Sequence, residues 1–452
     1  MAYKLPPQVL NIFKTFQKNN FEIYAVGGSV RDLLMGKPTK NWDFTTNSLP
    51  EQILTLFPDA FYDNTYGTVK IPQENNEIYE ITTFRTERNY SDRRHPDQIT
   101  WGKSLEEDLA RRDFTINSIC LSLPKDAPVF IDPFNGQNDI KNKIIRSVGD
   151  PEKRFSEDAL RLLRAIRIAT ELEFLIEVKT FQAIIDNATL IKRISGERIR
   201  DELFKILSSK NPFDGFMLLR NSGLLREIFP ELEKGFGVNQ ASPGRHHIYD
   251  VGTHSFLALK FCPSNDPLTR LATLLHDIGK PVVFKKDEKG IITFYNHELI
   301  STSIVKNIAD RLHFSKKDKD KLVTLVRWHQ FTIDERQTDS AIRRFIKRVG
   351  QDNLKDMLDL RVGDRLGGGA RETSWRLEEF KKRLIEVQKQ PFTVADLKVD
   401  GNDVMKILNI GPGPKVGQVL NELFNEVVEK SKPNEREYLL GRIKNMGENL
   451  PN

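Results

Sequence analysis

From about Asp150 onward the apolar residues of this chain repeat at helical spacing in one segment after another, whereas the part before it alternates helical spacing with short strand-like runs. Such a change of period describes a multidomain α+β protein: a mixed head of strands and helices, then an all-helical remainder. In the head, Val9, Ile12, Phe13 and Phe16 mark a first helix, and Phe21 to Val26 reads as a buried strand entering Gly27 and Gly28. Asp43 to Thr46, Gly67 to Ile71 and Ile78 to Phe84 continue the strand signals. Beyond the change, Ser156 is the expected N-cap of a helix whose buried face carries Leu160, Leu163, Ile166 and Ile168. A chain of 452 residues exceeds one ordinary core, and the expected boundaries are 1–145 (head), 146–240 (helical neck and body), 241–368 (a histidine-bearing block) and 369–452 (helical tail).

Lys and Arg outnumber Asp and Glu by 69 to 63, a mild bias towards polyanionic partners. The two cysteines, Cys120 and Cys262, exclude a disulfide framework and fit a reducing compartment. No apolar run reaches the roughly 18 residues needed to span a bilayer, and the N-terminus lacks a secretory pattern. The expectation is a cytoplasmic protein without a membrane partner; nothing in the sequence sets its oligomeric state.

Three clusters carry chemistry. In the first, Gly27 and Gly28 precede a helical segment and let backbone N–H groups approach a phosphate, with Arg31 as a planar cation and Asp43 as a strand-borne carboxylate. Asp32 orients this loop or caps its helix. The combination suggests metal-dependent nucleotidyl transfer, for which a two-metal site wants a second acidic ligand two residues before Asp43; Asn41 stands there. Glu80 is the candidate third ligand, or else an outward residue on an edge strand. The second cluster, Arg111, Arg112, Asp113 and Asn117, suits triphosphate and ribose hydroxyls, or a solvated helix end. The third, Glu157, Asp158, Arg161, Arg164 and Arg167, offers a donor and an acceptor to a base edge, or an i,i+3 surface ion pair.

These clusters in this order, extended by Asp132 to Gly136, Asp139, Glu197, Arg198, Ile199, Glu202 and Leu203, closely resemble the bacterial class II tRNA nucleotidyltransferases, the CCA-adding enzymes, and their poly(A) polymerase relatives. The resemblance implies a polymerase-β-like head and template-independent addition of C, C and A to tRNA from CTP and ATP. It assigns Gly28 and Arg31 to the nucleotide phosphates, Asp43 and Glu80 to Mg²⁺, and Arg112 to the nucleotide. Asp158 and Arg161 become a protein template for the base, with Arg164 and Arg167 nearby. The family pattern has aspartate where this chain has Asn41. By composition the charged segment Arg85 to Asp97 reads as an exposed loop; the resemblance makes it the element that switches from CTP to ATP.

In the third block, Leu275 to Lys280 resembles the HD phosphohydrolase signature, and His254, His276, Asp277 and Asp364, with His297 and His329, suit a second divalent transition metal. His246 and His247 lie outside that pattern. Gly401 to Asp403 and Gly411 to Gly417 form turns that open helices, as phosphate contacts or as rigid corners. Three functions therefore stand beside full CCA addition: an HD hydrolase of RNA ends or nucleotides, a non-enzymatic RNA-binding module, and A-adding or poly(A) synthesis.

Overall fold

Val9, Ile12, Phe13 and Phe16 are buried along one side of α1 (Pro7–Lys18), where Phe13 meets Phe44 of the central sheet edge-on at 5.8 Å. The chain is described by a computed structural model over residues 3–62, 67–73, 77–88, 98–101, 104–124, 127–240, 248–331, 338–371, 374–388, 394–429 and 432–447. It divides into two units: Met1–Val238 with Asn265–Leu268 and Lys306–Lys316, and Asn239–Ser264 with Thr269–Val305 and Lys317–Asn452. His246, His247 and most of the charged loop, residues 89–97, lie outside the described residues.

The strands of the first unit include β1 (Ile23–Val26), β2 (Asp43–Thr46), β3 (Phe61–Tyr62), β4 (Thr68–Pro72), β5 (Ile78–Thr83), β6 (Arg85–Arg88), β7 (Gln98–Trp101), β8 (Cys120–Ser122) and β9 (Val129–Ile131). Seven form one sheet in the order β3-β4-β5-β2-β1-β8-β9, while β6 and β7 pair separately. Within this sheet β2 and β5 run parallel, and their register sets Asp43 opposite Glu80. Trp42 and Phe44 turn into the core at 1% exposure, while Asp43 between them is exposed, as period-two alternation requires, and Asn41, in the bend before β2, is exposed too.

Helices α2 (Gly28–Leu34), α3 (Pro50–Leu56), α4 (Leu105–Ala110) and α5 (Gly136–Asn142) flank these strands. The all-helical part begins with α6 (Pro151–Glu157) and α7 (Leu160–Leu172), followed by α8 (Val178–Asn187), α9 (Gly196–Ser208), α10 (Pro212–Asn221), α11 (Leu224–Ile228) and α12 (Pro230–Glu233). Ser156 does not cap α7. It lies inside α6 and donates to the Lys153 carbonyl, because the break falls two residues later, at Asp158, whose extended backbone (φ −138°) ends α6. Asp158 Oδ1 accepts the Leu160 N–H at 3.0 Å, so Asp158 precedes the helix of Arg161 and does not share it at i,i+3 spacing. Residues 1–145 and 146–238 fall in the same unit, joined by ion pairs described below.

The second unit draws on α13 (Val251–Phe261), α14 (Pro267–Leu275), α15 (Lys280–Val283), α16 (His297–Arg311), α17 (Lys316–Trp328), α18 (Asp339–Val349), α19 (Leu354–Gly367) and α20 (Trp375–Gln388). Helices α21 (Gly401–Leu408), α22 (Pro414–Glu429) and α23 (Arg436–Gly447) close around Val404, Leu423, Leu439 and Ile443. Asp400 caps α21, accepting the N–H groups of Asn402 and Asp403 at 2.9 and 3.0 Å.

Gly136 opens α5 against the turn Thr115–Asn117, with its N–H donated to Asp132 Oδ1 at 2.7 Å. A Cβ there would fall 2.2 Å from the Thr115 carbonyl oxygen. Gly136→Ala is therefore expected to lower stability by about 1–3 kcal/mol through overpacking, whereas Gly411→Ala, with no atom within 4 Å of the added carbon, is neutral by comparison. Urea unfolding of both variants checks this; equal midpoints would contradict it.

Candidate nucleotide and metal sites

Gly27 takes φ +81°, which an L side chain rarely adopts, and an added Cβ would lie 3.3 Å from Asp43 Oδ2 and 3.7 Å from Arg112 Nη1. The turn, the β2 carboxylate and the Arg112 guanidinium thus converge on one place. Asp43 is solvent-accessible but enclosed by protein on enough sides that desolvation, and next the charge of Glu80, raises its carboxyl to about 6; Arg112 and Arg164 oppose the rise. Glu80 has Lys70 Nζ at 3.6 Å. Asp43 and Glu80 offer carboxylate oxygens suited to Mg²⁺, and the repulsion that lifts Asp43 is what a divalent cation would relieve. Arg112 Nε is buried without a hydrogen-bond partner, a donor left over beside this carboxylate pair.

A carboxylate the sequence reading passed over positions Arg112. Asp108 on α4 is fully buried and binds Arg111 Nε at 3.0 Å, Arg112 Nη2 at 3.2 Å and Thr45 Oγ1 at 3.2 Å. Burial alone would raise its pKa, but the two guanidiniums hold it below the usual carboxylate range. Spacings of three and four residues from Asp108 to the arginines were the available signal.

The second and third clusters are joined by polar contacts. Arg31 donates to Asp32 Oδ1 at 2.9 and 2.8 Å and to Asn117 Oδ1 at 2.9 Å; Asn117 Nδ2 donates to Asp113 Oδ1 at 3.2 Å. Asp113 Oδ2 receives Arg164 Nε and Nη2 at 2.8 and 2.5 Å. Asp113 and Asn117 are therefore engaged with each other and with two arginines, a positioning arrangement between α2 and α7. Arg161 reaches the Arg111 carbonyl at 2.9 Å, the Arg154 carbonyl at 3.0 Å and Glu157 Oε2 at 2.9 Å. Arg167 is taken up by the buried Glu202, 2.6 Å away, and by Glu171 at 3.1 Å. Arg154, Arg198 and Glu202 are partners that spacing does not reveal, because tertiary packing supplies them.

In the second unit the six histidine-block candidates come together. Asp277 divides them: its Oδ2 lies 3.4 Å from His254 Nε2 and 3.1 Å from His276 Nε2, and its Oδ1 lies 3.1 Å from His297 Nε2 and 3.6 Å from His329 Nε2. Asp364 Oδ1 joins the first group at 3.2 Å from His254 and 3.5 Å from His276. The Nδ1 atoms of His276, His297 and His329 stand 2.7, 2.9 and 2.7 Å from backbone carbonyls, contacts that hold each ring with Nε2 turned inward. Asp277 is held well below the usual range against its burial, first by His276 and then by Lys280, whose Nζ is 2.6 Å away. This imidazole and carboxylate set fits divalent transition metals.

Three family models match: the poly A polymerase head domain over residues 23–146, the probable RNA- and SrmB-binding site of polymerase A over 173–236, and tRNA nucleotidyltransferase domain 2 over 284–443. His254, His276 and Asp277 lie outside all three. The chain is 32% identical to a CCA-adding enzyme of Ligilactobacillus salivarius over 97% of its own length and 96% of that protein's. It is 32% identical to one from Pediococcus pentosaceus over 96% of each chain. Among solved structures it resembles the Bacillus stearothermophilus CCA-adding enzyme in complex with CTP, with a TM-score of 0.69, 27% identity and coverage of 99% of this chain and 100% of that one.

The Asp113–Arg164 pair has a pH signature. Burial would raise Asp113, but Arg164 outweighs it and lowers the carboxyl from 3.8 to about 2. Its contribution to stability is full above about pH 4 and is lost as pH falls towards 2. Arg164 is 34% exposed, so solvent screens the pair, and Asp113→Asn is expected to cost about 2 kcal/mol at pH 7, below the range for a fully buried pair. Unfolding from pH 7 to pH 2 should show the variant losing less stability across the acid window; parallel curves would refute the assignment.

Proposed function

The chain belongs to the family of CCA-adding enzymes, and from that premise we infer that it adds C, C and A to the 3′ end of tRNA, using CTP and ATP. The observation that carries the reading is the 32% identity to the Ligilactobacillus salivarius enzyme, which extends over 97% of this chain. The fold likeness to the CTP complex supports it. A cytoplasmic location accords with this reading, as do two buried free cysteines and, among the described residues, no helix long and apolar enough to cross a membrane.

In this reading the tRNA 3′ oxygen attacks the nucleotide α-phosphorus in line; a new P–O bond forms, the bond to the bridging oxygen breaks, and pyrophosphate leaves while the hydroxyl gives up its proton. Asp43 and Glu80, with the Asn41 amide oxygen, would hold Mg²⁺, which when bound neutralises the developing phosphate charge. Arg112, aimed by Asp108, and Arg31, aimed by Asp32 and Asn117, supply cations to the triphosphate beside the Gly27 turn. Asp158 accepts from the exocyclic amino group that cytosine and adenine share, and Arg161 donates to the adjacent ring nitrogen; uracil and guanine present a carbonyl instead. One acceptor and one donor thus read both correct bases.

The buried cluster around Asp277 favours a second activity: a dinuclear transition-metal centre hydrolysing phosphate esters of RNA ends or nucleotides. On this reading His254, His276, Asp277 and Asp364 would hold one ion, and Asp277 with His297 and His329 would hold a second.

Purified protein given tRNA lacking its terminal CCA, with CTP, ATP and Mg²⁺, is expected to extend it by three nucleotides. Extension by A alone, or by a run of A, would select A-adding or poly(A) activity; tRNA binding without extension would leave an RNA-binding module. Asp43→Asn should abolish extension, and Asn41→Asp should raise its rate by restoring ligand charge. If Asn41→Asp leaves the rate unchanged, Asp43 and Glu80 suffice without a charged third ligand. For the second unit, Asp277→Ala is expected to remove bound transition metal, read by elemental analysis, with CCA extension intact. Metal-free wild-type protein after incubation with Mn²⁺, Fe²⁺ and Zn²⁺ would overturn that centre.

A further inference from the structure

Asp158 carries the acceptor half of the proposed template, yet it sits ahead of α7 on extended backbone, where helix geometry does not fix its side chain. Two contacts do. Oδ1 accepts the Leu160 N–H at 3.0 Å, and Oδ2 accepts Arg198 Nη2 at 3.2 Å from α9. Glu157, the neighbouring carboxylate, is bound to Arg154 and Arg161 at 3.1 and 2.9 Å, so Arg198 is the cation that the recorded contacts give to Asp158. Arg198 Nη1 is buried with no hydrogen-bond partner, so this guanidinium is held at the template with donor capacity unspent. A guanidinium has donors only and no acceptor.

We propose that Arg198 is a positioning residue for base selection: it holds the Asp158 carboxylate in the orientation that turns its remaining lone pairs towards the nucleobase. The proposal rests on the template reading of Asp158 and Arg161. An ionised carboxylate only accepts hydrogen bonds, so it suits the amino group of cytosine or adenine and repels the carbonyl of uracil or guanine, provided its lone pairs point at the base. A carboxylate free to rotate loses that direction. The failure weakens the distinction between amino and keto bases before it weakens the chemistry at Asp43, which lies on β2 opposite Glu80. Each carboxylate oxygen carries a second lone pair, so the contacts to Leu160 and Arg198 leave acceptor capacity for the incoming amino group.

The test compares wild type, Arg198→Ala, Arg198→Lys, Arg161→Ala and Asp158→Asn for kcat/KM of single-nucleotide addition from each of CTP, ATP, UTP and GTP, with thermal unfolding of each protein. Arg198→Ala is expected to reduce discrimination against UTP and GTP about tenfold, the factor carried by one charge-assisted hydrogen bond. Arg198→Lys, which keeps a cationic donor, is expected to recover part of it. If Arg198→Ala lowers the melting temperature with selectivity unchanged, the residue is a structural brace and the proposal is wrong. The same holds if Lys restores stability but no selectivity. Unchanged selectivity in Asp158→Asn and Arg161→Ala would instead reject the template itself. Loss of selectivity in those two variants without loss in Arg198→Ala would reject the Arg198 role alone.

Discussion

A carboxylate buried as deeply as Asp113 stays charged only if surrounding donors replace the water it has lost, and here they come from α7 and from the turn that follows Asp113. Its Oδ2 takes both donors of Arg164 on α7, and its Oδ1 takes Asn117 and the Phe114 N–H. Asn117 in turn receives Arg31 from α2. The cation next to the glycine turn and the helix proposed to read the base are thereby referred to one residue. Arg161, a turn earlier on α7, repeats the link by donating to the Arg111 carbonyl, beside the arginine that faces Asp43. Phosphate position and base position are coupled through rigid contacts, which is what selection by geometry in a template-free polymerase requires.

The same polar density explains what the sequence made legible and what it did not. Strands β2 and β5 were read almost to the residue, because buried apolar residues in Asp43 to Thr46 and Ile78 to Thr83 leave a clear pattern. β8 and β9 span three residues each, too short to show a period, and β3 spans two. At the site, residue types and order sufficed for the carboxylates and arginines themselves. Their partners did not follow: Arg167, expected near the nucleotide, is bound by Glu202 from α9, and Asp158 by Arg198 from the same helix. Those pairs depend on how two helices pack, a long-range fact that local spacing does not encode. Ser156 failed for a local reason, since two helix breakers within reach compete and Asp158 wins by leaving helical backbone altogether.

The two proposed metal sites meet the cost of gathered acidic charge in opposite ways. Around Asp277 the protein supplies its own compensation, with imidazoles on both oxygens and Lys280 in contact, so the carboxyl remains ionised although fully surrounded. At Asp43 compensation is incomplete. Arg112 and Arg164 act on it from a distance, desolvation and Glu80 prevail, and the carboxyl rises to about 6. A site left in that condition gains more from a divalent cation than one already neutralised by its own side chains, because the cation removes a repulsion as well as adding bonds.

Asn41 fits this balance. It is exposed two residues before Asp43, across the buried Trp42, and in the proposed site an aspartate there would add a third negative charge. Three carboxylates without a cation would raise Asp43 further, and protons would compete more strongly with metal for the same oxygens. In the proposed site an amide would keep an oxygen ligand while relieving that repulsion, and would lack the charge that strengthens Mg²⁺ binding. Asparagine at this position would then make the head less dependent on metal for its own stability and more dependent on metal concentration for turnover, two consequences of one missing charge.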